Sequence, residues 1–355
     1  MKNPAATVYF VDVGQGSCQV IVFEDGSIYL IDCGKDPIPL VELLKKIEQD
    51  SGLEKDTLRI TGIVLSHLHE DHIGGVVQIL KQFENRIDHV FVSQDRSPDK
   101  ILKNKVIEKI IKKIKDENEK PNSFCLNLLV YCGVTCGKIH PPPGKKLRAS
   151  LSIMYPQAHD SWKAQTQSDV NQGSGVMLLQ CGRRRILFPG DAGKLAFEAI
   201  KGKRGTRPKF SCDILAAPHH GGRLSSKAEV YPGYSDAYSW LFGEILESKR
   251  TVFSVGTGNN HSHPMAEHVQ AAVRNGSKVI CTQLTNQCHT ALHTLGESLV
   301  KIKQPSACQR EGKGCAGTIV AFLNGREVKI SRWSTHQIKV RELSKSQSPP
   351  PLCRR

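Results

Sequence analysis

The sequence predicts an α/β fold, one large domain built from two successive αβ halves. Two observations carry that prediction. Strand-like runs and helical stripes occur in two batches, separated by Pro141-Pro142-Pro143-Gly144. No solenoid-type internal repeat interrupts them. With 355 residues, 39% of them hydrophobic, the chain can bury a sizeable core.

The first half opens with strands. Val8 to Val13, Cys18 to Phe23 and Ser27 to Ile31 are rich in β-branched and aromatic residues, and Asp25-Gly26 is a hairpin signal between the last two. Ile38 to Gln49 has helical spacing, Ile60 to Ser66 reads as a buried strand, and Ile73 to Phe83 as a helix. Lys100 to Lys115 is amphipathic, with an isoleucine-rich stripe and lysines elsewhere, which fits a solvated surface helix. In the second half, strands are expected at Leu151 to Tyr155, Gly175 to Cys181, Arg185 to Pro189, Asp213 to Ala217, Thr251 to Val255 and Lys278 to Cys281. Helices are expected at Lys194 to Ile200, Ala237 to Leu246 and Met265 to Asn275. Thr318 to Leu323 and Glu327 to Ile330 pair across Asn324-Gly325 in this reading. It gives one domain over 1–330, with a basic helical insertion at about 95–145 and a Cys-rich part at about 281–330. Residues 331–355 form an extension, polar, proline-rich and flexible from Ser344.

The formal net charge of +15 favours an anionic partner such as nucleic acid. Arg183-Arg184-Arg185, Lys201-Gly202-Lys203-Arg204 and Lys145-Lys146 are its local clusters. Twelve cysteines in so long a chain do not read as a small secreted disulfide scaffold. No signal-peptide pattern or membrane-length apolar run is found, so a cytoplasmic protein with free or metal-bound thiols is expected.

The chemistry centres on Ser66-His67-Leu68-His69-Glu70-Asp71-His72-Ile73-Gly74-Gly75, where a strand ends and a helix begins. Three histidines and Asp71 fall within six residues, a donor set that suits Zn²⁺, Mn²⁺ or Fe²⁺ rather than Ca²⁺. His67 and His69, two apart, can point the same way, while Asp71 and His72 can serve a second ion. Asp191 follows an apolar strand and a glycine, and His219-His220 follows another strand.

This pattern resembles the metallo-β-lactamase fold superfamily, whose binuclear site carries HxHxDH. Val11-Asp12-Val13-Gly14-Gln15-Gly16, Leu30-Ile31-Asp32-Cys33-Gly34, Gly190-Asp191, Pro218-His219-His220-Gly221 and Asn259-Asn260-His261-Ser262-His263-Pro264 are similar, in order, to segments of the hydrolase domain of the DNA-uptake competence protein (the ComEC/Rec2-like branch). The resemblance covers roughly residues 7 to 285 and implies a four-layer αββα sandwich around two divalent ions, Zn or Mn. It implies His67 and His69 on the first metal, Asp71 and His72 on the second, and Asp191 as the bridge. His219 and His220 are both candidate ligands: one completes the second, and the other is a substrate contact or orients a ligand. Asp32 becomes a buried group that orients a histidine, and His263 a contact to substrate phosphate or to metal. Most binuclear members carry another histidine before the bridging aspartate. Here His89, His140 and His159 are the only histidines in that interval, and Asp169 to Ser174 occupies the expected place, with Asn171 and Ser174 beside the site.

The implied function is a metal-dependent phosphodiesterase or nuclease, with Asp71, Asp191 and His263 as its catalytic residues. The alternatives are hydrolysis of a small ester, thioester, lactam or cyclic nucleotide, and a metal-bearing nucleic-acid-binding module without turnover. Separately, Cys281, Cys288, His289, Cys308 and Cys315 are candidates for a structural zinc, with His293 or Cys353 in reserve. Cys125, Cys132, Cys136 and His140 form a looser second set.

Overall fold

The computed structural model describes residues 4–93, 105–119, 127–131, 137–156, 170–202, 208–224, 230–302 and 304–354. In chain order the elements are β1 (Ala6–Phe10), β2 (Gln19–Phe23), β3 (Ile28–Ile31), α1 (Ile38–Asp50), β4 (Gly62–Leu65), α2 (Glu70–Ile73), α3 (Val76–Gln82), β5 (His89–Ser93), α4 (Lys105–Asn118), β6 (Asn127–Tyr131), β7 (Lys138–His140), β8 (Ala149–Tyr155), β9 (Val176–Cys181) and β10 (Arg184–Phe188). There follow α5 (Lys194–Gly202), β11 (Phe210–Cys212), β12 (Ile214–Ala216), α6 (Ala237–Trp240), β13 (Leu246–Ser248), β14 (Arg250–Phe253), α7 (Ala266–Arg274), β15 (Lys278–Cys281), α8 (Glu297–Val300), β16 (Ile319–Leu323), β17 (Val328–Ile330) and α9 (Trp333–Ser346).

One sheet has the order β17-β16-β1-β2-β3-β4-β5-β6 and the other β15-β14-β12-β10-β9-β8-β7, with β11 and β13 pairing apart. Strand alternation sorts the side chains into three apolar interfaces. Val8, Phe10, Tyr29 and Ile31 meet Leu151, Met177, Leu179 and Ile186 between the sheets. Leu30, Ile63 and Val90 face Leu40, Ile79 and Ile110 of the helices over the first sheet. Leu187, Leu215 and Phe253 face Phe197, Tyr238 and Val269 over the second. Three interfaces separate four layers, so the expected αββα sandwich is present.

Each half begins with antiparallel hairpins and continues with parallel strands. β1, β2 and β3 are antiparallel, while β3 to β6 are parallel. In the second half, β8, β9 and β10 are antiparallel, and β10, β12, β14 and β15 are parallel. Loops at the carboxyl ends of parallel strands are where open α/β sheets present ligand sites.

In the basic segment expected as an insertion, α4 lies between the parallel strands β5 and β6, with Ile107, Ile110 and Ile114 buried. Two expectations need correction. The helix expected at Ala237 to Leu246 is α6 followed by a π-turn at Leu241–Ile245. The extension carries helix α9, and the chain beyond it packs back on the domain. Leu352 is buried, and its amide donates to the Gln287 carbonyl at 3.2 Å. Helix α9 escaped the sequence reading because its buried face mixes His336 and Lys339 with Val340 and Leu343, which blurs the apolar stripe.

Among the described residues no helix is long and apolar enough to cross a membrane.

Candidate metal centre

Loops after β4, β10, β12 and β14 deliver the clustered side chains. His67 and His69 follow β4, and Asp71 and His72 lie on α2. Asp191 follows β10, His219 and His220 follow β12, and His263 comes from the loop after β14. Two glycines make close approaches possible. At Gly16 (φ 147°) a Cβ would stand 2.5 Å from the Asp71 carbonyl oxygen. At Gly190 (φ 55°) it would stand 2.6 Å from Ser174 Oγ.

Asp191 is the centre, 1% exposed. Its Oδ1 lies 3.0 Å from His72 Nε2 and 3.6 Å from His220 Nε2. Its Oδ2 lies 3.5 Å from His67 Nε2 and 3.5 Å from His219 Nε2. Asp71 Oδ2 is 3.3 Å from His220 Nε2. Two sets therefore place their potential ligand atoms within 4.8 Å of one another: His67 with His69 and Asp191, and Asp71 with His72 and His220. Of the adjacent pair, His220 joins Asp71 and His72.

Asp32, fully buried, accepts the Ser66 amide at 2.8 Å, the Ser66 hydroxyl at 2.8 Å and His72 Nδ1 at 2.7 Å. His67 Nδ1 lies 3.1 Å from Ser66 Oγ and 3.4 Å from Ser174 Oγ, and Ser174 Oγ accepts the Asp191 amide at 3.0 Å. Asn171 is buried, and its carbonyl accepts the Ser174 amide at 3.0 Å, which fixes that serine. His220 Nδ1 lies 3.1 Å from the Ser254 carbonyl. A carbonyl only accepts, so His220 carries its proton on Nδ1 and offers Nε2 as a lone pair. Asp32 imposes the same tautomer on His72.

The lone pairs then converge. His72 Nε2 and His220 Nε2 are 3.1 Å apart, and both face Asp191 Oδ1. His67 Nε2 is buried with no hydrogen-bond partner. Acceptors packed this way call for a cation, and imidazole with carboxylate suits Zn²⁺ or Mn²⁺. The titration shifts show the same demand for positive charge, which at His72 a proton on Nε2 also answers. Burial opposes the ionised form of Asp191, yet His72, His219, His67 and His220 hold its pKa well below the usual range. For His72, burial works against charge, but Asp191 and Asp32 outweigh it and raise its pKa well above the ordinary value. Burial and the neighbouring His72 lower His67 to about 4. The residues present fit a pair of divalent ions.

The centre opens into a cleft of about 1020 Å³. His263 lines it, with Nδ1 3.2 Å from Gln15 Nε2, and burial with His219, His220 and His261 lowers its pKa to about 3. Sequence reasoning missed much of this wall. Gln15 had been read only as part of a motif, although its setting between two glycines could have marked it. Ala307, Arg310, Glu311 and Gly312 also line the cleft. Asp12 holds that segment by accepting from Gln283 Nε2 (2.8 Å) and the Ser306 hydroxyl, and through its carbonyl from the Ala307 amide (2.8 Å). No local pattern announces contacts almost 300 residues apart.

The expected structural zinc is corrected. Cys281, Cys288 and Cys315 share one apolar core with Cys353 packed against it. Cys308 instead neighbours Ser306, 3.0 Å from its hydroxyl, and His289 Nδ1 accepts the Ala291 amide at 3.1 Å. Among the described residues, the sets of three or more ligand atoms within 4.8 Å of one another are the two at Asp191. Burial raises the pKa of the Cys281, Cys288 and Cys315 thiols, which suits packed neutral groups. Cys125, Cys132, Cys136, His159, Asp169, Lys203 and Arg204 lie outside the described residues. His140 packs against Phe23 and Tyr29, with ring centroids 3.9 and 5.3 Å away.

Residues 11–104 match the family model of the metallo-beta-lactamase superfamily. Over 230 residues, 64% of this chain, the sequence is 25% identical to Recombination protein 2 of Haemophilus influenzae, and the match spans 23% of that protein. Among solved structures, the chain is similar to zinc-bound PqqB of Methylobacterium extorquens, with 11% identity, a TM-score of 0.46, and coverage of 78% of this chain and 97% of the other. It is also similar to the short form of human tRNase Z, with 15% identity, a TM-score of 0.38, and coverage of 69% and 91%. Likenesses so distant carry no argument about chemistry.

Proposed function

We propose that this chain, which carries a metallo-beta-lactamase superfamily domain, is a metal-dependent hydrolase of phosphodiester bonds, with nucleic acid as its substrate class. The observation that carries the reading is the convergence of four histidine Nε2 atoms on the two oxygens of Asp191 at 3.0–3.6 Å. A net charge of +15 and the likeness to a protein named for recombination support a polyanionic substrate. The cleft of about 1020 Å³ has room for more than one nucleotide unit, by comparison with roughly 300–1,000 Å³ for ordinary small-molecule sites.

His67, His69 and Asp191 would hold one ion, and Asp71, His72 and His220 the other, with Asp191 shared. Ions there supply Lewis acidity toward a phosphodiester and a water activated near neutral pH. The protein's own groups do the rest. Asp32 and the Ser254 carbonyl keep His72 and His220 in the ligand tautomer. Asp71 reaches the cleft and is about one-third exposed, so its carboxylate is placed to take the attacking water's proton. His263 is neutral at pH 7, and its Nδ1 accepts from Gln15, so Nε2 carries the ring proton and can donate to an anionic oxygen.

The test incubates labelled single-stranded DNA, duplex DNA and RNA with the protein in Mn²⁺, Zn²⁺ or EDTA, beside His69→Ala. Metal-dependent cleavage lost in the variant supports the reading. A metal-loaded protein that cuts no polymer but hydrolyses a small ester or lactam defeats it. Nucleic-acid binding without turnover would favour the non-catalytic module.

A further inference from the structure

We propose that Tyr238 and His268 are positioning residues of the metal centre, a buried pair that clamps the turn presenting His220 to the ion site it shares with Asp71 and His72. This rests on the reading of those three residues as one ligand set.

The turn after β12 needs holding. It runs through His219 (φ 49°, ψ 39°), His220 (φ 54°, ψ 20°) and Gly221 (φ 83°), three left-handed residues in succession. L-residues avoid that conformation and keep it only where the surroundings impose it. Here both sides of the histidine pair are gripped. Before it, the Pro218 carbonyl accepts the Tyr238 hydroxyl. After it, the Gly221 carbonyl lies 2.6 Å from His268 Nδ1, and because a carbonyl only accepts, the imidazole donates there. The same carbonyl accepts the Met265 amide at 3.0 Å.

The two grips form one unit. Tyr238 is fully buried and His268 is 3% exposed. Their rings stack with centroids 3.8 Å apart and planes 14° from parallel. Asp236 fixes the start of α6 by accepting the Tyr238 and Ser239 amides at 2.9 and 2.8 Å. Burial, reinforced by the Asp191 charge, raises the Tyr238 pKa well above its usual value, so the phenol keeps the proton it donates.

Neither side chain belongs to a ligand set; both act through the backbone that carries His220. That histidine places Nε2 3.3 Å from Asp71 Oδ2 and 3.1 Å from His72 Nε2. Ligand distances tolerate only about ±0.2 Å. A left-handed turn released at either carbonyl relaxes toward ordinary backbone and carries the ring off its mark.

The test reads ion binding rather than products. Chelator-stripped wild type, Tyr238→Phe, His268→Leu and His268→Asn are titrated with Zn²⁺ against a chromophoric chelator, and the Co²⁺ forms are compared by absorption. His220→Asn and His69→Ala are the references for weakening one ion or the other. Wild type should bind two ions. Tyr238→Phe keeps the ring and loses the hydroxyl. It should weaken the ion that His220→Asn weakens by about tenfold, change the Co²⁺ bands in the same sense, and leave the other ion alone. His268→Leu should do likewise. His268→Asn, whose amide can donate to the Gly221 carbonyl, should recover most of that loss. Should His268→Leu fail to fold, Tyr238→Phe decides. A folded Tyr238→Phe with both ions at wild-type affinity and an unchanged spectrum overturns the proposal. So does equal weakening of both ions, which general loosening would give. Equal losses in His268→Leu and His268→Asn remove His268 from the pair. Wild type that takes no ion overturns the metal reading as well, whereas the selective loss in a protein that cuts no polymer overturns only the nuclease reading.

Discussion

Replacing Asp32 by Asn isolates one link between the fold and the metal centre. The side chain keeps its volume, and Asn suits the left-handed backbone there (φ 57°). What changes is one acceptor. Oδ2 now accepts from the Ser66 hydroxyl and from His72 Nδ1, at 2.8 and 2.7 Å. An amide nitrogen in that place donates, and the alternative amide orientation sets a donor against the Ser66 amide instead. His72 is fully buried, so bulk water offers no substitute. The ring is driven to carry its proton on Nε2, which faces Asp191 Oδ1 at 3.0 Å and His220 Nε2 at 3.1 Å. The lone pair offered to a metal is then lost. Removing such an orienting partner costs about 10–100-fold in metal affinity, or about 1.4–2.8 kcal/mol. Losing a hydrogen bond to a charged group costs folding a further ~1.5–3 kcal/mol. Zinc titration against a chromophoric chelator reads the first quantity, and urea unfolding in chelator reads the second. A folded Asp32→Asn protein with both ions at wild-type affinity would refute the tautomer argument.

Other outcomes follow from the same geometry. Gly16→Ala drives a Cβ to within 2.5 Å of the Asp71 carbonyl oxygen, so it should cost about 1–3 kcal/mol in urea unfolding and weaken the ion held by Asp71. Truncating the chain after Ser346 removes the buried Leu352 and uncovers the core around Cys288, with an expected loss of about 1.5–3 kcal/mol for that side chain by the same assay. Burial lowers the pKa of His336, outside the metal centre, to about 4 from 6.5. The unfolded chain therefore takes up this proton first, and stability should fall as pH drops from about 6.5 to about 4, by at most about 3 kcal/mol for this group. A His336→Gln protein should lose that share of the slope, and an unchanged slope would count against it.

Much of the centre was legible because each piece is local. A strand followed by glycine and a short polar run is a pattern of adjacent residues, and the HxHxDH run with the Gly190-Asp191 and Pro218-His219-His220-Gly221 segments holds every residue of the two ligand sets. The hairpin at Asn324-Gly325 was readable for the same reason: β16 and β17 pair across it, with Leu323 opposite Val328. What sequence could not give was the choice between His219 and His220. Neighbours on an extended chain point to opposite sides, but two left-handed residues in succession aim both rings at one carboxylate. Nor could it show that Asp12 ties Ser306 and Gln283 into the cleft wall, since long-range polar contacts leave no periodicity. Where the sequence lacks a histidine before Asp191 and carries Asp169 to Ser174 instead, Ser174 Oγ lies 3.4 Å from His67 Nδ1.

The charge needs the closest reading. A surplus of +15 points to a polyanion, yet the cleft lining does not share it. Its fixed cations are Lys35 and Arg310, against Asp36, Glu70, Asp71, Asp191 and Glu311. Both cations are engaged, Lys35 with Glu70 at 3.3 Å and Arg310 with Asp36 at 2.7 Å. Without ions the cleft repels phosphate. Two dications would reverse its sign, so metal should govern substrate affinity as well as turnover. Anisotropy with a hydrolysis-resistant phosphorothioate oligonucleotide, at about 150 mM salt to screen long-range surface attraction, tests this. Binding should be at least about tenfold tighter in Mn²⁺ than in chelator, a shift of about 1.4 kcal/mol. Equal binding in both would move the polyanion off the cleft. It would then belong on an outer basic face such as α4, where Lys105, Lys109, Lys112 and Lys115 are exposed.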